Sequence, residues 1–199
     1  MTRFVCLTLL VCVVGCSSPG DADPGPAAAG TAPTSAELKG LLDRIAVWYD
    51  ANAPKGTCRF APPASAEALA AVEAKLGRAL PDDVRALYRV ANGSEGSGVI
   101  RGYSLLSLEQ LQDESLFWET LADGAWSRGQ GWLPLTENGG GDHDCRDAQG
   151  RVFSFSHEVG REGDGDPTLR RWLERFASEL EADRWVYSEE NGQIELRTS

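Results

Sequence analysis

GWLPLTENGGGDHDCRDAQGRVFSFSH, residues 131–157, decides how the rest of the chain is read. Trp132-Leu133-Pro134-Leu135 is a short apolar run of strand type. Pro134 requires that strand to end early or to lie at an edge, because proline donates no ladder hydrogen bond. Asn138, three glycines and Asp142 form a sharp turn that faces water. Gly150 punctuates the chain again, and Val152, Phe153 and Phe155 with Ser154 and Ser156 between them predict the returning strand. The expected object is a β-hairpin whose two strands are joined by a long acidic loop.

Downstream, Gly160 to Pro167 (GREGDGDP) reads as a second acidic loop. Thr168 to Glu181 then predicts an amphipathic helix, with Leu169, Trp172, Leu173, Phe176 and Leu180 on one side. Trp185-Val186-Tyr187 and Ile194-Glu195-Leu196 flank Asn191-Gly192, the strongest short-range hairpin signal there is. Upstream, Val99 to Leu106 is strand-like and broken by Gly102. Ser107 follows as the cap of a helix holding Leu108 and Leu111, with Leu116, Phe117 and Leu121 extending the pattern. Before that, Leu80-Pro81-Asp82-Asp83 opens a helix, with Pro81 in its first turn and two aspartates at the positive end of the dipole. Val84, Leu87, Tyr88 and Ala91 give it a buried side, and Asn92-Gly93 ends it. Ser65 caps another helix with Leu69, Val72 and Leu76, loosened at Gly77. Thr34 and Glu37 have capping-box spacing and start a helix whose apolar face is Leu38, Leu41, Leu42, Ile45, Trp48 and Tyr49. Helices interspersed with hairpins, rather than alternating βα units, make the class α+β with a mainly antiparallel sheet.

The first residues carry a targeting signal. Arg3 precedes the apolar run Phe4 to Val14, which at about eleven residues is too short to span a membrane as a helix. The run ends in Val13-Val14-Gly15-Cys16, which resembles the bacterial lipobox. Residues 1–15 are therefore expected to be a lipoprotein signal peptide, Cys16 the lipidated residue, 16–33 a Pro/Gly/Ala-rich tether and 34–199 the folded domain. Ser17 beside the cysteine favours the outer membrane, facing the periplasm or the cell surface. Of five cysteines, processing removes Cys6 and Cys12 and modifies Cys16. Cys58 and Cys145 remain, either as a candidate disulfide or as two buried thiols.

A net charge of −11 argues against a nucleic-acid ligand, which needs a cationic face, and is complementary to a basic protein. Asp142, His143, Asp144, Cys145, Asp147 and His157 put oxygen, nitrogen and sulfur close together. They lack HxxxH or CxxC spacing, and Arg146 stands where a calcium loop needs an acid. There is no GxSxG elbow. Gly139 to Gly141 would cradle a phosphate only against the repulsion of Asp142 and Asp144. No catalytic residue, metal or cofactor is expected, and a metal-dependent hydrolase is the weakest reading the residues allow.

With Leu69-x-x-Val72-Glu73, Leu80-Pro81-Asp82-Asp83, Asn92-Gly93, Leu105-Leu106-Ser107, Trp132-Leu133-Pro134, Gly139-Gly140-Gly141-Asp142, Gly150-Arg151-Val152 and the helix of Leu169, Trp172, Leu173 and Phe176 in that order, residues 65–181 resemble the SUKH superfamily. That group holds the Knr/Smi-type cell-wall-synthesis regulator domain and many bacterial immunity proteins. The resemblance implies helices packed on a curved sheet and a non-enzymatic protein-binding module, its partner a toxin or an envelope protein. The expected contact surface is the acidic loop of Asp142, Asp144 and Asp147 with that of Glu162, Asp164 and Asp166. The alternative is an envelope-maintenance lipoprotein without a specific partner. The tether, the first helix and the last hairpin are departures from the family pattern.

Overall fold

The computed structural model of the protein describes residues 32–96, 98–120 and 131–197. The expected signal peptide, the lipidation at Cys16 and nearly all of the tether lie outside the described residues, as does Leu121. Helix α1 (Ser35–Asn52) begins on a complete capping box. Thr34 Oγ1 accepts the Glu37 N–H, and the Glu37 carboxylate accepts the Thr34 N–H at 2.8 Å. Strand β1 (Arg59–Phe60) follows, then α2 (Ala66–Leu76), capped by Ser65 and closed by Gly77 in the left-handed region. Helix α3 (Asp82–Tyr88) starts one residue later than the proline pattern predicts, since Pro81 is extended with ψ 148 and precedes the helix.

Strand β2 (Ser94–Glu95) pairs antiparallel with β1. The strand expected over Val99 to Leu106 is reduced to β3 (Ser104–Leu105), because Ile100 and Tyr103 bridge each other across a tight turn. Helix α4 (Leu108–Thr120) is capped twice: the Gln110 N–H donates to Ser107 Oγ, and the Leu108 N–H donates to Asn92 Oδ1. The Asn-Gly pair thus does more than follow α3. Gly93, at φ +91, lets Ser107 approach so closely that a Cβ there would sit 2.8 Å from the Ser107 nitrogen.

The central stretch departs from the expected two-strand hairpin. Leu133–Pro134 (β4), Thr136–Glu137 (β5), His143–Arg146 (β6), Val152–Ser156 (β7) and Gly160–Asp166 (β8) are all strands. The order β4-β6-β7-β8 makes an antiparallel four-stranded sheet, while β5 pairs with β3. The second stretch read as an acidic loop is therefore strand over Gly160–Asp166, and the first contains β5 and β6. Pro134 does lie at the sheet edge, in a strand of two residues. Helix α5 (Leu169–Glu181), capped by Thr168, precedes the hairpin of β9 (Trp185–Ser188) and β10 (Gln193–Leu196).

One core joins all five helices to Leu133, Leu135 and Val152 of the central region and to Trp185 and Ile194 of the last hairpin. Helix α1 packs on α5 and α3, and α2 packs on α4. Tyr49 of α1 donates its buried hydroxyl to the Gly98 carbonyl at 3.0 Å. A second, smaller cluster lies on one face of the sheet, where Cys145, Phe153 and Phe155 meet Trp118 and the half-buried Trp132. Among the described residues no helix is long and apolar enough to cross a membrane.

Candidate protein-binding surface

Strand alternation divides β6 between two environments. His143 and Cys145 point into the small aromatic cluster. The His143 ring stands edge-on to Trp118 at 5.0 Å, and its Nδ1–H donates to the Thr136 carbonyl at 2.8 Å. Asp144 and Arg146 point the other way. Asp144 accepts the Ser154 hydroxyl at 2.9 Å, and the Arg146 Nε–H donates to both oxygens of Asp83, each at 3.0 Å. The composition of His-Asp-Cys-Arg reads as a solvated loop because its polar members find partners far along the chain.

The six carboxylates expected to form one contact surface do not do so. Asp142 sits in the β5–β6 turn, where it accepts the His157 N–H at 3.0 Å and faces the His157 ring at 2.8 Å. The His157 N–H first, with the ring and the Asn138 amide, holds its carboxyl below the usual carboxylate range. Asp144 is 1% exposed, within 3.9 Å of Arg101. Asp147, 2% exposed, lies at the opposite end of β6. It accepts the Gln149 and Arg151 N–H groups and an ion pair from Arg161 at 3.0 Å, so it builds the β6–β7 turn. Arg161 also lies over the Phe153 ring at 4.0 Å. Asp166 is buried against Arg175 of α5 at 2.6 Å, which ties β8 to that helix. Of the six, only Glu162 and Asp164 are exposed. Buried carboxylates held by arginines present no negative surface to a partner, which corrects the expectation for Asp144, Asp147 and Asp166.

Asp144 is the least satisfied of them. Its Oδ2 has no hydrogen-bond partner, and neither has the buried Arg101 Nε; Arg101 itself is left-handed, at φ 55. Burial raises the Asp144 pKa, against the opposing pull of Arg101, Ser154 and Thr136. The folded protein therefore binds this proton more tightly than the unfolded chain. That contribution to stability is fully present below the unfolded pKa and is lost as pH rises through the folded one. Asp144→Asn is accordingly expected to be the more stable protein at about pH 7, by about 1 kcal/mol, with the difference closing toward about pH 3. Urea midpoints at the two pH values check this, and a variant less stable at neutral pH would show that the attraction to Arg101 dominates.

The two cysteines of the domain are not joined. Cys145 is buried in the small cluster, whereas Cys58 is half-buried at the margin of the main core. Burial, with a smaller push from Asp50, drives the Cys58 thiol up to about 12, so it carries no thiolate at neutral pH. Among the described residues no three His, Cys, Asp or Glu side chains are grouped to hold a metal.

One outward stripe of negative charge lies elsewhere, on α4. This helix buries Leu108, Leu111, Gln112, Ser115 and Trp118 and turns Glu109, Asp113 and Phe117 outward. Phe117, expected among the apolar residues that this helix holds, is 55% exposed. Four acids and no base over Leu108–Thr120 are readable directly from the sequence.

Comparison with curated proteins finds no match. The family model of the SMI1 / KNR4 family (SUKH-1) matches residues 63–178, from the residues just before α2 into the last turn of α5. That span holds the LPDD, Asn-Gly, Trp-Leu-Pro and Gly-Gly-Asp motifs in their expected order on one α+β framework, and the chain belongs to the SMI1 / KNR4 family (SUKH-1).

Proposed function

We propose that this chain is a lipid-anchored, non-enzymatic module that holds a basic protein partner and blocks its working surface, in an immunity-type or envelope-regulatory role. Family membership carries the reading, since SUKH domains are associated with protein–protein interactions such as immunity to toxins. The net charge of −11 supports a basic partner, drawn in by long-range attraction. The side chains that offered chemistry, His143, Cys145, Asp144 and Asp147, are buried. The lipobox at Cys16 supports a place in the bacterial envelope, at the outer membrane.

Affinity capture from detergent-solubilised envelope tests this. The full chain is expected to retain one protein of basic character at low salt and to lose most of it by about 0.5 M, where the screening length has shrunk well below that at physiological salt. Recovery of no partner at low ionic strength would overturn the proposal.

A further inference from the structure

We infer that the outer face of α4, centred on Phe117, is where that basic partner docks, an inference that rests on the protein-binding reading above. Successive helix positions advance by about 100°, so Glu109, Asp113 and Phe117 form one stripe opposite the side packed on α2 and β4. Phe117 is the one aromatic among the large hydrophobics exposed in the described residues; the others are Val47, Val159, Val186 and Leu196. An outward aromatic within a charged rim has the anatomy of an interface anchor.

Charge decides the occupant. Among the five described helices α4 is the only one without a lysine or arginine. Neither Glu109 nor Asp113 makes an ion pair with a described residue, whereas the carboxylates of the sheet are held by arginines. A second copy would bring the same acidic stripe and a net charge of −11, and an anionic leaflet would repel it likewise. The face suits a protein segment that offers an apolar side chain between lysines or arginines. Strand β8, another exposed acidic element, is less suited. Its side chains Arg161, Glu162 and Asp164 mix both signs, and a bulge breaks its line.

The probe is a synthetic amphipathic peptide of leucine and lysine, titrated into the isotope-labelled full chain in non-ionic detergent. Amide shifts are expected to concentrate within 108–120. Phe117→Ala is expected to weaken binding about tenfold. The pair Glu109→Lys with Asp113→Lys should do the same and flatten the salt dependence, while Glu162→Lys with Asp164→Lys should stay within about twofold. Shifts that map elsewhere, or binding lost only with the β8 pair, would overturn the inference. So would self-association or adsorption to phosphatidylglycerol vesicles that depends on Phe117. Repeating the envelope capture with each variant separates the two claims. A partner retained equally by Phe117→Ala displaces the docking face and leaves the protein-binding reading standing, whereas no partner at all with wild type removes that reading itself.

Discussion

A chain trimmed to residues 63–178 is expected to lose cooperative unfolding, although that span carries the whole family match. Helix α1 contributes Leu38, Leu41, Leu42, Ile45, Trp48 and Tyr49 to the main core, every one of them buried. At about 1.5–3 kcal/mol for each buried side chain, their removal forfeits on the order of 10 kcal/mol. That is comparable to the entire stability of an ordinary domain, about 5–15 kcal/mol. The cut also cancels the Tyr49 bond to Gly98 and strips Trp185 and Ile194 from the core, and it shortens α5 before Leu180. Far-UV signal from the remaining helices should persist while the denaturant transition broadens into a slope. A sharp, reversible transition for 63–178 would show that α1 and the last hairpin are appendages rather than parts of one folding unit.

The second large effect is expected at Gly165. A Cβ built there would collide with the Val152 carbonyl oxygen and lie 2.7 Å from Phe153 Cβ, at a φ of +69 that side chains rarely adopt. Neither neighbour can yield cheaply, because one is the backbone of β7 and the other sits in the aromatic cluster. Gly165→Ala should cost about 4 kcal/mol, combining left-handed strain with overpacking. Gly163 provides the control. It has a similar φ of +63 but open space around it, so Gly163→Ala should cost only about 1 kcal/mol. Denaturant midpoints of the two variants measure the difference directly. Equal shifts would mean that the close approach of β8 to β7 relaxes at little cost.

The helices were legible in the sequence because their determinants are local. Thr34 with Glu37, Ser65, Ser107 and Thr168 each cap a helix within three residues, and apolar positions recur at the helical period. The strands of the sheet were hidden for the opposite reason. What makes Asp144, Arg146 and Asp147 acceptable inside a sheet lies far away: Asp83 for Arg146, Arg101 for Asp144, Arg161 for Asp147. Nothing in the local pattern of His143 to Asp147 announces those partners, so its polarity alone reads as solvent exposure. Phe117 failed differently. It is apolar like the residues of the helix's inner face, but the helical period puts it on the side opposite Leu108, and Trp118 takes the inward position at the end of α4. The family motifs were visible in order, yet most of their residues, Leu80 and Leu133 among them, are core, and so they identified a framework without marking its contact face.

The bulge in β8 has a consequence for how such molecules behave when crowded. Of the described strands in the sheet, β8 is the long one left at the edge, and an uninterrupted edge of seven residues would invite another chain to zip onto it. Gly163 and Gly165, both left-handed, throw its backbone out of register between Val152 and Ser154, and Arg161 with Glu162 charges the exposed rim. Fibril-like stacking of neighbouring copies is thereby disfavoured: the break in β8 that seats Gly165 against β7 also interrupts the edge on which another chain would pair.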